Sequence, residues 1–337
     1  MDSITQAVLG AAVAEAGMGG RRLGNKAILW GAALGTLPDL DIIAYPWLDQ
    51  IQRLEWHRGW SHSIFIILIA SPLLGAVIAG IHRGKVSSTR TSWTVFWILA
   101  THVLIDVFTV YGTMVFAPFS DYRAGLNNLF IIDPLFTGPL ILGVIIACIC
   151  AANSRWRRRA NVTGLALATL YASWSLGAKA HTEEVIRKNF ANAGITPIRI
   201  TISPTPFNTL LWRGLAEREK DFVITYHSLL NTTSSPTFEI LPKNHEALAE
   251  IADSRAVKRL IWFSNGFYSA SKTKDGWAVS DWRFGEWLSG EKSTLVSVFA
   301  WNLSKDGNSV TATPYRAQVD LKGQLNLMKS RLLPADR

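Results

Sequence analysis

Pro38-Asp39-Leu40-Asp41, followed after an intervening segment by His57-Arg58-Gly59-Trp60-Ser61-His62-Ser63, packs two carboxylates and two imidazoles into an otherwise apolar part of the chain. Ionisable groups in apolar surroundings are costly unless they pair or bind a metal. The stretch therefore reads as a site, and the hydrophobic runs around it as the frame that holds it.

Those runs decide the fold class. Of 337 residues, 49% are hydrophobic, and the mean hydropathy of +0.18 is higher than a soluble enzyme of this size requires. The polarity is uneven, because only nine of the 25 acidic residues precede residue 180. Two regions follow. Residues 1–180 are expected to form an α-helical polytopic membrane bundle, and residues 181–337 a soluble, extracytoplasmic α+β domain with an antiparallel sheet. Apolar runs at 27–43, 63–81, 93–111, 129–152 and 162–178 are the expected spans. Residues 4–18 would reach roughly 22 Å as a helix, marginal against a bilayer core of about 30 Å. Gly31 and Gly35 have the four-residue spacing that lets helices approach closely. Beyond residue 181, β-branched and aromatic alternation predicts strands at 199–203, 222–229, 277–282, 295–303 and 310–319. Residues 245–263 read as an amphipathic helix, and 116–128 as a loop.

A net charge of +9 would point to nucleic acid in a soluble protein. Here the basic residues cluster in short loops between apolar runs, so anionic lipid and topology explain them and no nucleic-acid partner is expected. Arg21, Arg22 and Lys26, then Arg83, Lys85 and Arg90, then Arg155, Arg157, Arg158 and Arg159 fall on one side; only Arg53, Arg58, Arg123 and Lys179 fall on the other. Basic loops stay cytoplasmic. That rule puts Asp39, Asp41, the 57–62 loop, the 112–128 loop and the C-terminal domain on the outer face. His102 and Asp106, four apart on one helical face, reach the same side, as does Asp2 if the first helix crosses. No basic residue precedes the first apolar segment, so no cleavable leader is expected. Cys148 and Cys150 imply no disulfide framework.

Imidazole nitrogen and carboxylate oxygen are ligands for zinc, manganese or non-haem iron. Asp39, Asp41, His57, His62, His102 and Asp106 are the candidate ligands for one or two divalent ions, with Asp2 a further one. Arg58, between the histidines, is the candidate for binding a substrate anion. Asp41 is open to a second role, as a base. Competing readings exist: Asp39 and Asp41 as caps at a helix end, and His102 with Asp106 as a mutually neutralising pair. Asp133-Pro134 reads as a helix start. His82 lies on the basic side, His227 and His245 sit in strand and helix contexts of the C-terminal domain, and His181 faces outward with no evident partner.

Asp2-Ser3-Ile4-Thr5-Gln6, Gly35-Thr36-Leu37-Pro38-Asp39-Leu40-Asp41, the 57–63 motif and Thr101-His102-Val103-Leu104-Ile105-Asp106 together resemble the YdjM-type family of bacterial inner-membrane, metal-dependent hydrolases. The resemblance covers about the first 180 residues. It implies an integral inner-membrane protein that binds a divalent metal and hydrolyses a substrate. Ser203-Pro204-Thr205-Pro206-Phe207-Asn208 resembles the linker to the extra domain of longer members. By ligand type the chain is also similar to the zinc-dependent phospholipase C group, which implies a phosphoester. The resulting expectation is a multi-pass enzyme with a periplasmic C-terminal domain. It would hydrolyse a phosphoester of a lipid or lipid-linked substrate with water activated by a metal, zinc first among the candidates. No protein partner is identifiable from the residues. The rivals are a metal-binding transporter and a membrane-anchored interaction protein with a structural metal. Few polar residues continue along the spans beyond His102 and Asp106, which favours an enzyme over a transporter.

Overall fold

The helical region is assembled around its first helix, α1 (Ser3–Gly17), whose alanines and glycines let neighbouring helices pack closely on its buried face. Asp2 caps it by accepting from the amides of Ile4 and Thr5. The computed structural model describes residues 1–18, 20–231, 235–289, 295–307, 309–315 and 320–333. Two compact units divide the chain: 1–46, 56–176 and 206–208 in the first, and 47–55, 177–205 and 209–337 in the second.

In the first unit α1 is followed by α2 (Gly20–Leu23) and α3 (Asn25–Thr36), then by a 3₁₀ segment, Pro38–Trp47. After α4 (Gln50–Trp56), largely in the second unit, come a 3₁₀ turn at Trp60–His62, α5 (Ile64–Ile81), α6 (Ser88–Val107), α7 (Pro134–Ile149) and α8 (Arg155–Asn192). Helix α1 packs on α3, α6 and α7. The approach to α3 is backbone against backbone, since a Cβ on Gly31 would lie 2.3 Å from the Gly10 carbonyl oxygen and one on Gly35 2.5 Å from that of Gln6. Further along α1, Arg157 of α8 grips Glu15 through two bonds of 2.7 and 2.6 Å and also donates to Asn25 Oδ1 and the Ala147 carbonyl. Arg157, expected in an exposed basic loop, is thus buried and paired, and weighs less in the charge asymmetry than its neighbours.

By length and composition α5 is apolar enough to cross a membrane, and α3 with the 3₁₀ segment passes as a pair bent by 48°. Helix α7, with 16 residues, is apolar but shorter. It begins later than the apolar run because Asp133 caps it and Pro134 opens it, as the Asp-Pro pair predicts. Helix α6 starts at Ser88, capped by Ser87, ahead of the expected residue 93.

The second unit holds two four-stranded antiparallel meanders. One is β1 (Arg199–Pro204), β2 (Leu211–Glu217), β3 (Asp221–Ser228) and β4 (Glu239–Pro242); the other is β5 (Tyr268–Thr273), β6 (Gly276–Leu288), β7 (Leu295–Asp306) and β8 (Ser309–Tyr315). Residues 316–319 of the last expected strand lie outside the described residues. Strand β2 went unread because it is buried along its whole length, which removes the polar alternation that marks a strand. Trp212 and Ala216 pack with Ile186 and Phe190 of α8, while Arg213 turns to Glu286 of β6 at 2.8 Å. Ser203 ends the strand expected at 199–203, and Pro204, expected in a linker, extends β1 by one residue; they pair with Arg213 and Trp212. The expected helix at 245–263 is split: a 3₁₀ turn covers His245–Ile251, and α9 (Arg255–Phe263) restarts at the Ser254 cap. A last helix, α10 (Leu321–Leu332), follows.

The α1–α3 contact gives a direct test. Gly31→Val forces the two backbones apart and should lower stability in detergent by about 1–3 kcal/mol. Gly80→Ala on α5, where an added Cβ meets nothing within 4 Å, should leave the melting temperature unchanged or raised; equal effects of the two changes would refute the close approach.

Candidate metal centre

Three local devices bring the site together. Pro38 ends α3 and starts the 3₁₀ segment, which turns Asp39 inward while Leu40, Ile42 and Ile43 stay exposed. His62 closes the 3₁₀ turn just before Ser63, whose hydroxyl accepts from the Phe65 amide and starts α5. His102 and Asp106 stand one turn apart on α6.

From these elements Asp39, His62, His102 and Asp106 converge, offering four ligand atoms that all lie within 4.8 Å of one another. His62 Nε2 is 3.1 Å from His102 Nε2, 3.3 Å from Asp39 Oδ1 and 3.1 Å from Asp106 Oδ2. His102 Nε2 is 3.6 and 3.5 Å from the same two oxygens. A tetrahedron of ligands at about 2.0–2.1 Å from an ion has edges of about 3.3–3.4 Å. The five measured edges scatter around that value.

The protonation pattern points the same way. His102 Nδ1 donates to the Gly35 carbonyl at 2.6 Å, which leaves Nε2 with a lone pair. The Ser61 hydroxyl donates to Asp41 Oδ2 at 3.2 Å and so accepts from His62 Nδ1 at 2.9 Å, which leaves His62 Nε2 with a lone pair as well. Four acceptors thus face one another with no donor between them, and Asp39 Oδ1 and Asp106 Oδ2 are buried without a hydrogen-bond partner. Burying such a set is unfavourable unless a cation joins it. For His62, burial alone would lower the pKa, but the Asp106 and Asp39 carboxylates outweigh it and raise the ring above its ordinary value. The pocket is built for positive charge, and its residues fit a single divalent ion.

Around these four stands a supporting layer. Asp106 Oδ1 is held by Gln6 Nε2 at 3.0 Å, by Arg58 at 3.0 Å and by the Met1 amino group, leaving Oδ2 for the pocket. Arg58 is 2% exposed, also donates to Thr109 Oγ1 at 2.9 Å, and keeps a buried Nε without a partner. Its backbone is left-handed, φ 56°, a conformation that costs a non-glycine residue of order 1 kcal/mol and recurs where a site dictates the geometry. The tight bend expected at Gly59 therefore sits one residue earlier. The Arg58 amide donates to Asp41 Oδ2 and its carbonyl accepts from Met114, which pins the strained turn.

The other expected ligands are placed elsewhere. Asp41 accepts from the Arg58 amide and Ser61 Oγ, and its Oδ1 lies 2.9 Å from His57 Nδ1. Asp41 and His57 thus form a pair behind His62, outside the four-atom set. Asp2 caps α1 and accepts from Thr5 Oγ1 at 2.5 Å, so its carboxylate serves the helix end, outside the four-atom set. Gln6 was not singled out from sequence; its position one turn ahead of Gly10, on the close-packed face of α1, was the available signal.

A helical region with a buried His and Asp cluster able to hold a cation, joined to an antiparallel two-sheet domain, is the class of protein that emerges. The YdjM inner membrane protein family matches residues 1–182, and the chain belongs to that family. No curated protein and no solved structure matches it.

Metal analysis of the purified protein should find one equivalent of a divalent ion, lost in His62→Ala and Asp106→Asn. Asp2→Ala should keep the ion while losing about 1 kcal/mol of stability with its cap. Retention of the ion in all three would rule out the assigned ligands.

Proposed function

We propose that the protein is a multi-pass inner-membrane hydrolase that holds one zinc ion through Asp39, His62, His102 and Asp106 and cleaves a phosphoester of a lipid or lipid-linked substrate. The observation that carries this reading is the all-acceptor tetrahedron with a buried arginine beside it. Zinc is favoured over manganese or iron because two imidazoles and two carboxylates at tetrahedral spacing suit its coordination. When bound, such an ion supplies Lewis acidity that brings a water towards hydroxide near neutral pH.

The chain's own residues supply the rest. Asp41, through Ser61, holds the His62 ring in the tautomer that points Nε2 inward; the Gly35 carbonyl does the same for His102. Arg58 carries a fixed positive charge next to Asp106, and its unpartnered Nε is suited to one oxygen of a phosphoryl group. Exposed Leu40, Ile42 and Ile43 on the segment that carries Asp39 favour a substrate with hydrocarbon chains. The asymmetry of basic loops supports a site at the outer leaflet and a periplasmic C-terminal domain.

One observation favours a second reading. Four protein ligands already complete a tetrahedron, the arrangement of a structural zinc site, whereas catalytic sites commonly use three and leave a position open. Under that reading the ion would hold α3, α5 and α6 together and the soluble domain would act.

Chelation separates the two. An enzyme loses hydrolysis of phosphodiesters in mixed lipid–detergent micelles on chelation and regains it when zinc returns. A structural site loses thermal stability with no hydrolysis to lose. Under the enzyme reading Arg58→Lys should keep the ion but lower kcat/KM by about 10- to 100-fold, because a point charge replaces a fork of donors; an unchanged rate would remove Arg58 from the site's chemistry.

A further inference from the structure

His57 was expected as a ligand, and the structure withdraws it from the ligand set while giving it the surroundings of a proton donor. Its Nδ1 lies 2.9 Å from Asp41 Oδ1. The other oxygen of Asp41 is fixed by the Arg58 amide at 3.0 Å and by Ser61 Oγ at 3.2 Å, so the carboxylate cannot swing away. Tyr111 stands edge-on to the ring at 5.3 Å and Tyr45 at 6.3 Å, which sets its plane. Nε2 of His57 has no hydrogen-bond partner among the described residues.

Two further features separate His57 from the ligands. Its side chain is 19% exposed, while those of His62 and His102 are 0% and 1% exposed. Its ring centroid is 6.3 Å from that of His62, next to the metal pocket yet outside it. An imidazole oriented by a carboxylate on one nitrogen and open on the other is the arrangement of a general acid or base.

We propose that His57 is the general acid of the reaction, delivering the Nε2 proton to the leaving oxygen, with Asp41 as the residue that positions it; this rests on the hydrolase reading above. In the step, the phosphorus–oxygen bond to the entering water forms as the bond to the leaving oxygen breaks. The leaving oxygen keeps the electron pair and takes the proton from His57 Nε2. The proton released by the water passes to solvent, and the exposed ring is recharged from there. Asp41 stabilises the ring while it is charged. Asp41 also reaches His62 through Ser61, so a single carboxylate orients both the proton donor and a metal ligand.

The test compares lipid phosphodiesters whose leaving groups run from p-nitrophenol, which departs without a proton, to a simple alkanol, which does not. His57→Gln, loaded with zinc, should retain one equivalent of metal and a wild-type melting temperature. Its kcat should fall about 10²–10⁴-fold for the alkanol and much less for p-nitrophenol, so that the rate becomes steeply dependent on the leaving group. Asp41→Asn should show the same dependence in weaker form. Equal losses for both leaving groups, an unchanged rate, or loss of the ion in His57→Gln would overturn the assignment. A zinc-loaded wild type that hydrolyses none of the series removes the hydrolase reading and the acid with it, whereas active wild type with a leaving-group-insensitive variant removes the acid alone.

Discussion

Two imidazole lone pairs and two carboxylate oxygens, pressed together where water does not reach, repel one another unless a cation stands among them. That constraint orders the helical unit. The residues behind the four candidate ligands are arranged to keep the acceptors pointing inward: Gly35 offers a carbonyl to His102, Ser61 and Asp41 hold His62, and Gln6 and Arg58 occupy the outer oxygen of Asp106. Each gives a donor or an acceptor to that arrangement, and the site and its support therefore form one network.

The network exists because α1 and α3 touch along their backbones. Glycines at 10, 31 and 35 remove the side chains that would hold these helices apart. Only at that distance does Gln6 on α1 meet Asp106 on α6, and only then does the end of α3 present the Gly35 carbonyl to His102. The buried Glu15–Arg157 pair fastens the other end of α1 to α8. Such a pair contributes little net stability, but removing one partner would leave a charge without water or counterion, so it defines one packing register. The site's support and the scaffold both bury charge in paired groups, Arg58 with Asp106 and Arg157 with Glu15.

The second unit follows the same rule with different consequences. Arg213 Nε and the Tyr226 hydroxyl both donate to Glu286, and Glu217 receives both Lys243 and Arg199. No group of metal-ligating side chains converges among its described residues. The candidate metal ligands thus lie in the family-matched region, and the described part of the two-sheet domain shows interior packing and ion pairs.

The sequence by itself determined the helical and sheet regions, the YdjM family membership, and the segments that supply the candidate ligands, because hydropathy and residue type are local properties. It could not rank the candidate ligands. Asp39 and Asp41 lie two residues apart in a 3₁₀ turn, where one carboxylate points at the pocket and the other at His57, and no periodicity tells them apart. His57 and His62 are likewise divided by the left-handed turn at Arg58. Strand β2, buried on both faces, has no polar alternation to read. In each case the deciding quantity is which neighbour occupies the space beside a side chain, and that is fixed only when distant segments pack.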